Sequence, residues 1–142
     1  MRRGTWGPFN SQATAIRGDL APAFFMWPGV GRYDDIWASY LMRAIMDVRN
    51  DVVAYGEPLV RQVRNEHDLF KDLEAELFGM RHTEALVKVL RHVSHEVTAE
   101  MSVTEALTIG FTHITNLPFI PDQTKYSFNS WLYDLCQLEV AE

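Results

Sequence analysis

Residues 31–51 read GRYDDIWASYLMRAIMDVRND, and this stretch decides the fold. Its apolar side chains recur at the spacing of one face of an α-helix. They are Ile36, Trp37, Tyr40, Leu41, Ala44, Ile45 and Val48, and the opposite face holds Asp35, Ser39, Arg43 and Asp47. The pattern predicts an amphipathic helix that begins at Asp34, ends before Asn50-Asp51 and buries its apolar face.

The segments on either side of this helix are predicted to be short and irregular. Glycine and proline interrupt residues 1–33, where 13–17 is predicted as a short strand and 20–26 as a short buried helix or turn. After the helix, residues 52–55 are predicted as a second short strand. The chain therefore opens with mixed secondary structure.

From residue 65 onward the patterns are helical. Asn65, with Asp68 three positions later, predicts a helix start, and Gly79 predicts its end. The predicted buried stripe of this helix is Leu69, Phe70, Leu73 and Leu77. Three further helices are predicted at 83–92, from the Ser102/Glu105 capping box to about residue 116, and at 128–138.

Together these elements predict an α+β fold that is mostly helical. A chain of 142 residues is expected to form a single domain, mixed over 1–64 and a helical tail over 65–142. An α/β domain usually begins with a strand–helix–strand unit, which is missing here. We therefore expect the chain to be the C-terminal part of a larger protein.

We also expect the chain to expose an apolar face built from Trp6, Phe9, Phe24, Phe25 and Trp27.

Charge and composition narrow the classes of function. The net charge of −6 argues against duplex nucleic acid as a partner, and no stretch is apolar for the ~20 residues of a membrane span. The single cysteine excludes an intramolecular disulfide, and no signal peptide is evident, so a cytoplasmic location is expected. Residues 1–65 hold eight arginines against six acids, whereas 66–142 hold five basic residues against thirteen acids. The arginine-rich part suits phosphate or carboxylate groups.

The adjacent carboxylates Asp34 and Asp35 are the clearest candidate site. They stand where a glycine-containing loop becomes a helix, so one interpretation is that they only cap the helix and offset its dipole. In the other interpretation one of them projects into a cleft as a general base. Arg32 would then bind a phosphate or orient the pair.

Three blocks of the chain resemble GT-A-type glycosyltransferases. Residues 31–38, GRYDDIWA, are similar to a segment of the reversibly glycosylated polypeptides. Residues 8–14, PFNSQAT, and 61–73, RQVRNEHDLFKDL, extend the resemblance to STELLO-like domains. The match runs in order from about residue 7 to about residue 90, and residues 91–142 resemble nothing familiar.

The resemblance implies a C-terminal, acceptor-side half of an enzyme that transfers a sugar from a nucleotide sugar, of the UDP-sugar type, to a hydroxyl acceptor. By this match Asp34 and Asp35 are catalytic, and the substrate-binding positions are Asn10, Gln12, Arg32, Trp37, Arg61, Arg64 and Asn65. Ala13 departs from the expected asparagine, and the chain has no Asp-x-Asp motif to hold a divalent metal and the donor. The nucleotide-binding half is thus expected to lie outside this chain, and the isolated chain is expected to be inactive or to be completed by another copy.

Two groups of basic residues carry further hypotheses. Arg61, Arg64 and Asn65 suit a diphosphate near a helix N-terminus, although a capped linker explains them equally well. His67 is a candidate ligand for Mn²⁺ or Mg²⁺, with most ligands outside this chain, as the resemblance implies. The pair His92 and His95 shares a helical face but lacks a third ligand by spacing, so it is interpreted as structural.

A different class of function is left open. The chain is alternatively a non-catalytic helical interaction module, in which the arginine-rich half docks an acidic partner and the helical tail oligomerises.

Overall fold

The computed structural model describes residues 4–63 and 66–140. The regular structure in these ranges comprises the 3-10 turns Gly18–Ala23 and Gly31–Tyr33 and the helices α1 (Asp34–Val48), α2 (Leu69–Glu96), α3 (Val103–Ile114) and α4 (Asp122–Val140). Neither described range contains a strand. The predicted α+β class is therefore wrong, and the described chain is all-helical.

The two predicted strands are irregular segments. Ala13 has a φ of +52°, a left-handed conformation that interrupts an extended run at 13–17. Residues 52–55 follow the end of α1 and line a cleft with residues 8–17. Short strands need at least a third strand or a packed layer to be stable, and the described chain offers no such sheet.

The central helix α1 begins at Asp34 as predicted and ends at Val48. Its apolar face is buried, with Trp37, Leu41 and Ile45 at 0–1% exposure. Its polar face was expected to meet solvent, but Ser39 and Arg43 are also fully buried. Another part of the chain therefore covers this face.

The cover is the N-terminal segment, which we define as residues 5–11. Four residues of α1, each one helical turn from the next, hydrogen-bond to it. These contacts are Ser11 N–H to Asp35 (2.8 Å), Phe9 N–H to Ser39 (3.2 Å), Arg43 to the Thr5 carbonyl (3.4 Å) and Trp6 Nε1–H to Asp47. Because the polar spacing matches the helical repeat, one face of α1 can hold an irregular segment along its length.

Aromatic rings form the centre of the core around α1. Trp27 and Trp37 meet edge to face with centroids 5.4 Å apart, and Phe25 stacks on Phe128 of α4 at 4.7 Å. The predicted exposed face of N-terminal aromatic residues is thus wrong: Phe9, Phe25 and Trp27 are buried. Trp6 and Phe24 are half-buried against the same core.

Helix α2 runs without a break through Gly79, so the two helices predicted at 65–79 and 83–92 are one. Gly79 keeps a helical φ and lies against the ring of Tyr33. A Cβ at this position would fall 2.1 Å from Tyr33 Cγ, so the glycine permits close packing instead of ending the helix. The start of α2 is capped by Asp68, whose carboxylate accepts from the N–H groups of Phe70 and Lys71. The predicted cap Asn65 lies outside the described residues.

The first half of α2 buries an unexpected face. Asp72 and Glu76 bind Arg32, and the backbone of Gly31 approaches the Ala75 carbonyl so closely that a Cβ would lie 2.5 Å from its oxygen. This small and acidic face packs on the turn Gly31–Tyr33. The apolar residues Leu69, Phe70, Leu73, Leu77 and Met80, which we call the α2 stripe, therefore point away and are exposed.

The C-terminal helices complete the core. Helix α3 begins with the predicted capping box, in which Ser102 and Glu105 bond to each other's backbone N–H. Helix α4 begins at Asp122, six residues before the predicted start, and buries Phe128, Leu132 and Leu135. Among the described residues, none of the helices combines the length and the apolar composition that a bilayer crossing requires.

Candidate functional site

The carboxylate of Asp35 is held by Ser11. Its Oδ2 accepts the Ser11 N–H at 2.8 Å and the Ser11 hydroxyl at 3.0 Å. Asp35 therefore tethers the N-terminal segment, in addition to any chemical role. The contact joins two of the three blocks that carry the glycosyltransferase resemblance, across 24 positions of sequence.

The carboxylate of Asp34 contacts only the neighbouring residue among the hydrogen bonds of the described chain. Its Oδ1 accepts the N–H of Asp35 at 2.8 Å, at the N-terminus of α1. The side chains of both aspartates are half-buried rather than enclosed. In the described part of the chain, neither carboxylate has a cation within ion-pair distance, so Arg32 does not orient the pair.

Arg32 instead bridges to α2. Its Nη1 lies 2.9 Å from Asp72 and its Nε lies 3.3 Å from Glu76. His67 approaches the same Asp72 carboxylate, with Nδ1 3.3 Å from Oδ2. Block 31–38 and block 61–73 are therefore in contact, through the ion pair between Arg32 and Asp72.

Trp37 is a core residue and does not line an open cleft. It is 0% exposed, and its indole Nε1–H donates to Thr83 Oγ1 of α2 at 2.9 Å. Trp37, which the resemblance implies to be a substrate-binding residue, is therefore enclosed and does not reach an open cleft. The hydrogen bond of Trp37 and the ion pairs of Arg32 position α2 against α1.

Asn10 and Gln12 line a cleft of about 770 Å³. Its walls are the loop 8–17 and the segment 51–59, and Ile36, Met42 and Met46 of α1 contribute apolar surface. The volume lies within the range of small-molecule sites. Asn10 also shapes the loop, because its side chain accepts the Gln12 N–H at 3.1 Å.

The predicted phosphate-binding group is only partly described. Arg61 is exposed, and no ion pair in the described ranges involves it. Arg64 and Asn65 lie outside the described residues. The other described arginines of the N-terminal half are occupied by internal contacts: Arg17 with Asp19 and Asp51, Arg32 with Asp72 and Glu76, Arg43 with Asp47, and Arg49 with the Met101 carbonyl.

A second cluster escaped the sequence interpretation. Glu96 and His92 of α2 meet His113 of α3, and the hydrogen bond from His113 holds the pKa of Glu96 below its usual value. The spacing of His92 and Glu96, four residues apart on one helix, was visible in the sequence. The approach of His113 depends on how α3 crosses α2, which no local pattern encodes.

Comparison with known proteins found no matching family model, no matching curated protein and no matching solved structure. The glycosyltransferase resemblance accordingly stays a prediction.

Proposed function

We propose that this chain is the acceptor-side half of a glycosyltransferase that moves a sugar from a nucleotide sugar to a hydroxyl acceptor. One observation supports the proposal most: of the three sequence blocks that carry the resemblance, block 31–38 contacts each of the other two. Ser11 binds Asp35, and Arg32 and His67 share Asp72. Residues that are far apart in sequence but related by one family pattern are expected to converge if the pattern marks a common site.

The acceptor would occupy the cleft lined by Asn10 and Gln12. Apolar surface from α1 would support a sugar or aglycone, while the amide groups would hydrogen-bond to its hydroxyls. The Asp34–Asp35 pair, which Ser11 joins to the loop 8–17, is the proposed source of the general base. Ser11 occupies Oδ2 of Asp35, which leaves Oδ1 to take the proton from the acceptor hydroxyl. The acceptor oxygen then bonds to the anomeric carbon as the bond to the donor's diphosphate breaks, with inversion.

His67 fits a role as one ligand of a divalent cation. Donation from Nδ1 to Asp72 would leave Nε2 as the metal-binding nitrogen, which is the usual arrangement for a ligating histidine. The remaining ligands of Mn²⁺ or Mg²⁺ would come from outside this chain, since the sequence has no Asp-x-Asp motif. Such a cation would offset charge on the diphosphate. Arg61, with Arg64 and Asn65, is proposed to contact the same phosphates.

The donor half would be supplied by another polypeptide or segment, and we propose a cytoplasmic location for the assembly. Half a donor site should bind weakly, with a Kd near 1 mM, or about −4 kcal/mol. Catalysis by the isolated chain is not expected.

The test is a titration of the isotope-labelled chain with UDP and Mg²⁺, followed by backbone amide NMR. We expect shifts concentrated at residues 61–73, and Arg61→Ala should weaken the affinity about tenfold, as the loss of a charge-assisted hydrogen bond of ~1.5 kcal/mol implies. Arg81→Ala, an exposed arginine of α2 outside the three blocks, is the matched control. Absence of shifts at about ten times the expected Kd, or equal effects of the two substitutions, would contradict the donor-site assignment.

The α2 stripe favours a second candidate, a helical interaction module. Phe70, Leu73, Leu77 and Met80 follow a 3-4-3 spacing, which is the pattern by which two helices pair. The partner that this candidate assigns is a second copy of the chain, pairing stripe to stripe. An acidic partner on the arginine-rich half has less support, because most of its described arginines are paired internally.

Sedimentation velocity separates this candidate from the first. If the α2 stripe self-associates, the chain should sediment as a dimer and Leu73→Asp should return it to a monomer. Leu138→Asp, at an exposed leucine of α4, is the control and should leave the dimer intact. A monomeric chain over the accessible concentration range would exclude stripe-to-stripe pairing and leave the glycosyltransferase proposal untouched.

A further inference from the structure

The strongest unassigned cluster lies where the last turn of α2 meets the last turn of α3. Glu96 stands between two imidazole rings. His92 Nε2 is 3.1 Å from Glu96 Oε1, and His113 Nε2 is 3.0 Å from each of the two Glu96 oxygens. The three ligand atoms all lie within 4.8 Å of one another. Neither Lys nor Arg pairs with Glu96 in the described ranges, so both contacts of its carboxylate are with histidine.

These spacings are close to those of a metal centre. Ligand atoms about 2.0–2.1 Å from a tetrahedral zinc ion lie roughly 3.4 Å from one another. The observed N–O separations of 3.0–3.1 Å are a few tenths of an ångström shorter, so a small opening of the cluster would admit an ion. Two imidazoles and one carboxylate are also ligands that zinc takes in open, three-ligand sites.

The surroundings favour a cation as well. His92 and Glu96 stand near the C-terminal end of α2, and His113 is the next-to-last residue of α3. Helix C-termini carry partial negative charge, which attracts cations. The three side chains are 29–66% exposed, so an ion could enter without unfolding of the chain.

We infer that His92, Glu96 and His113 form a binding site for a divalent transition metal of the zinc class. The ion links α2 to α3 and retains at least one coordination position for water or another ligand. On binding, it replaces the protons through which the two histidines contact Glu96. This site is independent of the proposed donor site and involves none of the residues assigned to it.

The decisive experiment uses tag-free, metal-free protein and a competition titration of Zn²⁺ against a chromophoric chelator. We expect one ion per chain. His113→Ala should weaken the affinity at least tenfold, and Glu96→Gln, which keeps the shape of the side chain, should weaken it in the same direction. His95→Ala is the matched control, because His95 is an exposed histidine on the same helix and the member of the His92/His95 pair that this site excludes. It should change the affinity less than about threefold.

A second readout follows folding directly. Saturating Zn²⁺ should raise the Tm of the parent chain and of His95→Ala by at least about 4 °C, and this shift should be lost in His113→Ala. Circular dichroism without metal checks that each variant is folded. Binding of Zn²⁺ by His113→Ala as tightly as by the parent chain overturns the inference, as does an equal loss of affinity in His95→Ala. A parent chain that fails to compete with the chelator overturns it as well.

Discussion

Helix α1 and the first half of α2 each carry an apolar stripe at helical spacing, yet one stripe is buried in the fold and the other is exposed. The stripe of α1 is buried, with Trp37 at 0% exposure. The α2 stripe is exposed, with Phe70 at 86% and Leu73 at 46%. Periodicity alone does not distinguish the two, because it reports that one face differs from the other and not which face finds a partner.

The difference arises from what each helix meets. Other elements surround α1, and even its polar face is covered because that face hydrogen-bonds to the N-terminal segment. The first half of α2 contacts the turn Gly31–Tyr33 through Arg32 and through two close glycine approaches. These close backbone contacts and the two ion pairs of Arg32 fix the orientation of the helix. The α2 stripe therefore faces solvent or a partner.

The largest effect on the free energy of unfolding is expected from a substitution in the buried stripe of α1. Trp37→Ala removes a ring that contacts Trp27, Phe78 and Phe119 and leaves Thr83 without its indole donor. We expect the free energy of unfolding to fall by about 3–5 kcal/mol, measured by urea denaturation. A loss below about 1 kcal/mol would show that α1 is not packed as described.

A smaller effect is expected at the contact that orients α2. The Cβ of Gly79→Ala would meet Tyr33 Cβ and Cγ at 2.3 and 2.1 Å, so the helix must shift, at a cost of about 1–3 kcal/mol of unfolding free energy.

Gly110→Ala in α3 is the matched control for this substitution. Its Cβ would meet Leu41 Cδ1 at 3.5 Å, an ordinary contact, so the better helix propensity of alanine should stabilise the chain by about 0.5–1 kcal/mol. If both glycine substitutions stabilise the chain, Tyr33 does not lie against α2.

The smallest effect is expected on the α2 stripe. Phe70→Gln removes an exposed ring, so the free energy of unfolding of the monomer should change by no more than about 0.5 kcal/mol in the same urea experiment. A loss of several kcal/mol at a concentration where the chain is monomeric would mean that the ring is buried by the chain itself. The comparison between the two stripes would then fail.

Several features were predictable because their causes are local. The limits of α1 follow from its periodicity, and the start of α3 follows from Ser102 and Glu105, whose reciprocal bonds span only three residues. Only the resemblance assigned Asn10, Gln12 and Asp35 to one site. The structure joins Ser11 to Asp35 and places Asn10 and Gln12 in the cleft wall, while their role in a common site stays a prediction. The prediction of strands at 13–17 and 52–55 was wrong because a strand forms only with a partner strand elsewhere in the chain. A short extended run carries no information about whether such a partner exists.

The sequence by itself determined where the helices α1 and α3 begin, because capping and helical spacing act over one or two turns. Only the tertiary structure decided that Gly79 continues a helix, that Arg43 is buried and that His113 reaches Glu96. Each of these depends on a contact between residues 17 to 46 positions apart, and a local pattern cannot specify the neighbour that packing supplies.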